Sequence, residues 1–419
     1  MPREDADSIS PPPDSPAPRR LSFAIILSLR FLSAIPDATV VPVLKGLLVD
    51  RYAVSPAAAH AFMAVNLIGG IISIGFARRL HKFFGTSRTV ALAALFNGLL
   101  LAVMALPIGF YPTLLIRIAE GAMDLIVYAL LFAVIGNSGA PERRGMRMGA
   151  AATAMMLGIA SGLGLGGIIG QNDATLTLWL GAVACMIVST VGERLLPRRH
   201  IGRPDDEDTA DTSTQPRSPL WPTLAMMFTD RALSGVLTTT IPLYFTIQLE
   251  MTTAKSGGVI GIAMLMLALG AFPAGKLADV VGPVLLRLLA GIGFASCYAL
   301  LPFIAEQPVI RLVVMAGIGL TGAALFACSL ELVSRSNRGV TGMHALHAAG
   351  NLGFFVGPIA SGALLWIMGD EESPRSAYLF IMVLFAVLHT LTTIVCTVRL
   401  MRSSPQSAAD VETPDSRSA

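Results

Sequence analysis

Charge is scarce in this chain. Of 419 residues only 14% are Asp, Glu, Lys or Arg, where a soluble domain carries roughly 25%, so most of its length cannot build a water-facing surface. Cysteine is scarcer still. Cys185, Cys297, Cys328 and Cys396 stand far apart inside apolar stretches, which argues against a disulfide framework or a zinc cluster and leaves them as packing residues. There is no GxxxxGK[ST] loop to cradle nucleotide phosphates, and no nucleophile and base stand together. ATP-driven work, enzyme chemistry, cofactors and nucleic-acid partners are therefore not expected.

Apolar residues fill the space, at 54% of the chain. They gather into twelve runs of membrane-crossing length, the first near 22–44, the second and third near 57–77 and 89–109, the seventh near 221–247 and the last near 377–400. As helices rising about 1.5 Å per residue, such runs cross about 30 Å of hydrocarbon. Each is apolar on all sides, whereas the strands of a membrane barrel alternate in character over roughly ten residues. The expectation is an all-α membrane protein of twelve transmembrane helices, with the lipid bilayer as its partner.

The polar remainder sets the organisation. Residues 1–20 have no apolar core and read as a disordered tail rather than a signal; residues 401–419 are equally polar. Between the sixth and seventh runs, residues 197–219 are rich in charge and proline and read as a linker. They separate two six-helix halves, 21–196 and 220–400. If the N-terminus is cytoplasmic, only Lys45, Arg51, Lys255, Arg311 and Arg375 of the 30 basic residues fall in outer loops. Arg30, Arg117 and Arg231 lie within runs and the others are cytoplasmic. That bias predicts both termini inside, in a plasma or bacterial inner membrane.

Traces of duplication join the halves. Arg30-Phe-Leu-Ser-Ala-Ile in the first run resembles Arg231-Ala-Leu-Ser-Gly-Val in the seventh. Arg78 to Gly85 resembles Gly275 to Gly282, and Gly158-Ile-Ala-Ser-Gly162 resembles Gly353-Phe-Phe-Val-Gly357. The stretch from Gly275 to Gly282, GKLADVVG, resembles the loop signature of the major facilitator superfamily. That resemblance covers the whole apolar chain and implies the major facilitator fold, two six-helix pseudo-repeats. Its glycines suit a tight turn and close approach, and Asp279 is expected to cap a helix or pair with an arginine across the halves. The first copy departs from the signature, with Lys82 at the aspartate position and Arg78 at the first glycine.

In the fifth run Gly158, Gly162, Gly166 and Gly167 recur at helical spacing, which predicts close helix packing. The spacing also resembles the glycine and proline pattern of superfamily antiporters, with Leu163 replacing the proline that Gly357-Pro358 retains in run eleven. In the fourth run Arg117, Glu120, Asp124 and Tyr128 share one helix face. Each charge at the bilayer centre costs about 2.5–3.5 kcal/mol on the insertion scale, so the face must meet a wet cavity or opposite charges. Arg117, Glu120 and Gly121 resemble the superfamily's arginine motif associated with proton coupling; a purely structural Arg117–Glu120 pair would leave Asp124 unexplained.

Asp37 stands roughly 22 Å along the first helix, seven residues beyond Arg30. Asp37 to Val41, DATVV, resembles the aspartate-x-threonine-valine-valine motif of drug–proton antiporters. A partly desolvated carboxylate resists ionisation and can exchange a proton; the competing account is a kink at Pro36 and Pro42 with Asp37 satisfied locally. Asp230 and Arg231 are neighbours about 100° apart on their helix, and Arg231, matched to Arg30, is the one expected in the cavity. His344, His347 and Glu331 read either as metal ligands or, preferably, as a polar helix end.

These readings converge on a monomeric secondary transporter that exports a small organic compound in exchange for protons by alternating access. Asp37, Asp124 and Arg117 are expected to carry proton coupling, and Arg30, Glu120, Tyr128 and Arg231 to line the substrate cavity. Gly275, Asp279, Gly282, Gly158, Gly162, Gly166, Gly167, Gly357 and Pro358 are expected to shape the conformational change. A proton-coupled nutrient importer is the alternative, and a non-transporting sensor the third reading. Counting Asp37, Glu120, Asp124 and Asp230 against Arg30, Arg117 and Arg231 leaves one excess negative charge, which favours cationic or neutral compounds. Orientation is tested with a cysteine placed in the 198–218 linker of a cysteine-free variant. Impermeant thiol reagent is expected to miss it in intact cells and label it after lysis.

Overall fold

A computed structural model describes residues 23–138, 144–196, 219–334, 339–369 and 374–402. The predicted N-terminal tail, residues 403–419 of the predicted C-terminal tail and all but the last residue of the predicted linker lie outside these; Met401 and Arg402 end the last helix. The first crossing is not one helix. It runs as α1 (Phe23–Ser33), a turn at Ala34, α2 (Ile35–Val40), a 3₁₀ turn over Val41–Val43 and a π turn over Lys45–Asp50. Pro36 and Pro42 lack the N–H that would bond one turn back, so the ladder breaks twice. The Thr39 hydroxyl donates to the Pro36 carbonyl at 2.8 Å.

α3 (Pro56–Met104) carries the second and third crossings as one continuous stretch bent at Gly85, whose φ of 74° and ψ of 173° favour glycine. The remaining crossings are long helices: α4 (Phe110–Gly136), α5 (Arg144–Ile169), α6 (Leu176–Leu195), α7 (Trp221–Leu243), which runs on into a π turn over Tyr244–Gln248, α8 (Thr253–Val281), α9 (Pro283–Ile304), α10 (Pro308–Ser334), α11 (Gly339–Ile367) and α12 (Arg375–Arg402). No strand occurs among the described residues. Ten stretches are long and apolar enough to cross a membrane by themselves. α3 is one of them and crosses twice; α7 is not, because Asp230, Arg231 and its threonines lower its hydropathy. The twelve crossings of the sequence reading result, with shifted ends: the third stops at Met104 rather than 109.

Two ends can be distinguished. At the near end α1 begins, α6 and α12 finish and α3 bends; at the far end α5 gives way to α6 and α7 to α8. Helix termini are closed by arginine as well as by caps. Arg51 donates to the Met104 and Ala105 carbonyls, Arg147 to Ile135 and Gly136, and Arg311 to Ala305, satisfying last-turn carbonyls and complementing the helix dipole. Ser55 and Thr252 cap α3 and α8, each accepting from the N–H three residues on.

Those two caps expose the internal repeat. Ser55 and Thr252 are 197 residues apart (252 less 55), and so are the positive-φ glycines Gly85 and Gly282 (282 less 85). Helix contacts keep this register. A Cβ on Gly158 would meet the Phe31 carbonyl and one on Gly353 the Phe228 carbonyl; Gly162 sits against Ile35 and Gly357 against Ala232. Arg30 is thereby paired with Met227, and Arg231 with Ala34, one helical turn from the alignment that matched the two arginines in sequence. That match arose from local similarity, and packing overrides it.

The α5 glycines divide their contacts. Gly158, Gly162 and Gly166 face the first crossing, whereas a Cβ on Gly167 would lie 2.6 Å from the Thr253 carbonyl in the other half. The repeat supplies the mirror contact: a Cβ on Gly362 of α11 would lie 2.9 Å from His60 Cβ on α3. Thr253 donates to the Gly167 carbonyl at 2.8 Å, and His60 Nε2 pairs with Thr240 Oγ1 at 3.1 Å. All of these lie toward the far end. One buried core joins both halves through residues such as Val40, Leu163, Val236 and Ile260. Ile26, Leu131 and Val188 form a separate core in the first half, and Leu220, Val333 and Leu346 another in the second. The halves meet at the far end and part toward the near end.

Two signature positions differ from expectation. Nothing lies within 4 Å of a Cβ on Gly275, so it makes no close approach, and only Gly282, at φ 90°, needs to be glycine. Asp279 is exposed in the last turn of α8 and caps or pairs with nothing among the described residues. A matched pair of variants tests the glycine contacts. Gly162→Leu places a side chain where a Cβ is already 2.7 Å from Ala38 Cβ, while a Cβ on Gly164, two residues on, has nothing within 4 Å. Gly162→Leu is expected to lose about 1–3 kcal/mol and most transport, and Gly164→Leu to keep both, read by melting temperature in detergent and by flux.

Candidate functional site

The site begins with α3 and α4 in contact. Gly69 abuts Ile118 and Ala122, and Gly121 abuts the Asn66 backbone, so the two helices touch where most side chains would hold them apart. That approach brings Asn66 onto Glu120. The Asn66 amide donates to Glu120 Oε2 at 2.8 Å, and Arg117 Nη1 donates to the same oxygen at 2.6 Å. Arg117 Nη2 reaches across to Asp37 Oδ1 of α2 at 2.7 Å. Phe62 of α3 lies under the guanidinium, 4.8 Å from ring centroid to Cζ. One arginine thus binds three crossings.

The two carboxylates differ in access. Glu120 is fully buried, whereas the Asp37 side chain is 36% exposed. Removing ions from water is costly unless they are paired and hydrogen-bonded; the two carboxylates pair both Nη atoms of Arg117, while its Nε and Glu120 Oε1 have no hydrogen-bond partner among the described residues. Glu120, expected as a cavity acid, therefore does not face open space. Arg30 does not either. It is buried, donates to Ser33 Oγ at 2.8 Å, and stacks on Tyr128 and Phe132 with centroids at 4.2 and 4.8 Å. The rings accept the cation in place of an acid, and its Nε and Nη2 have no hydrogen-bond partner among the described residues. Asp124 and Tyr128 are half-buried, and Asp124 lies within electrostatic reach of Arg30 and Arg117 while bonding to neither.

The second half holds an ionic network that the sequence reading missed. Asp230 of α7 accepts from Arg287 Nη2 of α9 at 2.7 Å and from His389 Nε2 of α12 at 2.8 Å, and Arg287 Nη1 also donates to the Leu325 carbonyl of α10 at 2.8 Å. Arg287 and His389 are buried. The count of basic residues places Arg287 on the cytoplasmic side; a basic residue one turn inside a helix start can also point into the bundle, and only packing distinguishes the two. Its pairing with Asp230 cancels the excess negative charge counted from sequence. Arg231 is half-buried over Phe326, with 5.6 Å from Cζ to the centroid. A Cβ on Gly319 of α10 would meet the Ala263 carbonyl of α8 as one on Gly121 would meet that of Asn66, which sets Met315, Ile318 and Ala263 opposite Arg117, Glu120 and Asn66, so each half keeps its charges in a different place.

Among the described residues no group of three His, Cys, Asp or Glu side chains could hold a metal; the side chain of His344 lies outside them. The four cysteines are free.

Comparison with known proteins agrees with this architecture. Residues 26–346 match the Major Facilitator Superfamily profile, and the chain belongs to that superfamily of transporters. An uncharacterized MFS-type transporter from Yersinia enterocolitica, YE1530, is 24% identical over 323 residues, 75% of this chain and 80% of the relative. Among solved structures, a bacterial homologue of the human lysosomal transporter Spinster, inward-facing and unoccupied, superposes with a TM-score of 0.69 at 13% identity, covering 94% of this chain and 98% of its own. A variant of the nucleoside transporter NupG gives 0.70 at 12% identity, covering 90% and 99%. At such identities the likeness is one of fold.

The two neighbouring charges on α7 provide a test. Asp230→Ala leaves Arg287 buried without its counter-ion, a loss of about 3–5 kcal/mol for a broken buried pair. Arg231→Ala removes a half-buried cation with no acidic partner. The melting temperature in detergent is expected to fall steeply for Asp230→Ala and little for Arg231→Ala; equal falls would deny the network its structural role.

Proposed function

We propose that the protein is a proton-coupled secondary transporter that exports a small organic compound by alternating access, as a monomer with its near end toward the cytoplasm of a bacterial inner membrane. The observation that carries this reading is Arg117 held between one accessible and one buried carboxylate. Asp37 reaches water and can take a proton, which discharges its bond to Arg117, while Glu120 keeps the guanidinium neutralised. The tie between the first crossing and α4 is then weakened without stranding a charge. α5 lies against that crossing through Gly158, Gly162 and Gly166, and against α8 through Gly167, so movement there reaches the contact between the halves. Rigid rocking about such a contact is how inverted and parallel repeats alternate access. Asp124, one turn from Glu120, is the second proton carrier.

Export is favoured by the DATVV motif on α2. Proton-coupled import on the same fold is the second reading, favoured by Leu163 in the proline position of α5 and Lys82 in the aspartate position of the first loop. Asp37→Asn tests the coupling, because it preserves shape and removes the proton site. Gradient-driven export of a compound panel from everted vesicles is expected to stop in Asp37→Asn, while exchange of labelled compound without a gradient continues. Unchanged gradient-driven flux would remove Asp37 from the mechanism.

A further inference from the structure

Arg117 is satisfied by Asp37 and Glu120, and Asp230 by Arg287 and His389. At the far end Lys45 pairs with Asp50 and Arg375 with Glu306, while Arg51 and Arg311 close helix ends. Arg30 is buried on two rings. Two charges near the middle of the bundle remain: Asp124 on α4 and Arg231 on α7. Each is half-buried, and neither makes a hydrogen bond or ion pair among the described residues.

They lie at matching depth. Asp124 is twelve residues from the near end of α4 at Gly136, about 18 Å, and Arg231 is ten from the start of α7 at Trp221, about 15 Å. They also belong to opposite halves, which diverge from the far-end contact toward the near end. Arg231 is fixed from behind: its Cγ would be 3.3 Å from a Cβ on Gly350 of α11, and Phe326 of α10 lies beneath its guanidinium. Half-buried Ser234 and Thr238 continue its face of α7 at helical spacing.

We infer that the space between the halves takes a dipolar small molecule, with a cationic or strongly donating group at Asp124 and an anionic or strongly accepting group at Arg231. Asp124 feels Arg30 and Arg117 only at a distance and Arg231 meets only a ring; charge at this depth without a direct partner is expensive, and a ligand carrying both signs offsets both. A plain cation would answer Asp124 and leave Arg231 unmatched; a plain anion would do the reverse. Because the two residues stand on different halves, a ligand bridging them also draws the halves together, the closed intermediate that alternating access passes through. The inference rests on the transport reading in taking this space as the substrate's path; it shares Asp124 with the proposed coupling and needs neither the Asp37 proton site nor a direction of transport.

The test measures binding without any gradient. Matched quartets of compounds, built on several aliphatic and aromatic amino-acid skeletons, comprise the zwitterion, its N-acetyl derivative, its methyl ester and the doubly capped form. Thermal stabilisation of the full chain in detergent is recorded for each, in wild type, Arg231→Gln and Asp124→Asn. Wild type is expected to bind the zwitterion at least tenfold more tightly than any capped member of at least one quartet. Arg231→Gln should lose discrimination against the ester alone, and Asp124→Asn against the N-acetyl compound alone. Binding here is read without a gradient, whereas the coupling reading is decided by the gradient-driven flux of Asp37→Asn, so failure of one is distinguishable from failure of the other. Preference for a singly charged member, no stabilisation in any quartet, or full discrimination in both site variants would overturn the inference.

Discussion

A guanidinium cannot be left bare among hydrocarbon helices, and much of this bundle is arranged around that constraint. Arg117 recruits Asp37 from the first crossing and, with Asn66, positions Glu120 against α3. Arg287 makes the corresponding demand in the other half, drawing α7, α9, α10 and α12 to a common point. Arg30 meets it differently, with two aromatic faces. In each case the charge specifies which helices are neighbours more sharply than dispersion between apolar surfaces can, since lipid tails compete equally for an apolar face.

Glycine makes the ionic contacts possible. Hydrogen bonds near 2.7 Å between side chains on separate helices require backbones closer than ordinary side-chain packing permits. Gly69 and Gly121 supply that closeness between α3 and α4, and the α5 series supplies it against α1 and α2. Small residues and charges therefore form one device, in which the glycines set the spacing and the ion pairs fix the register.

The duplicated scaffold carries unduplicated chemistry. Caps, positive-φ glycines and interhelical glycine contacts recur at nearly one offset, yet the positions equivalent to Arg117, Glu120 and Asn66 are apolar. Two halves that pack alike therefore carry their charges at different places, and the contact between them is symmetric while their interiors are not.

The sequence alone determined the number of crossings, the division into halves and the helix face bearing Arg117, Glu120 and Asp124, because hydropathy and the 3.6-residue period are local properties. It also singled out Asp37 and the α5 glycines, whose residue types are unusual in apolar surroundings. Tertiary structure decided what local pattern cannot hold: that Arg30 and Arg231 are one turn out of register, that Glu120 is sealed while Asp37 is open, and that Arg287 and His389 turn inward to Asp230. Those outcomes depend on which helices approach one another and how closely, and a partner 57 or 159 residues away in the chain leaves no mark on the local sequence of either.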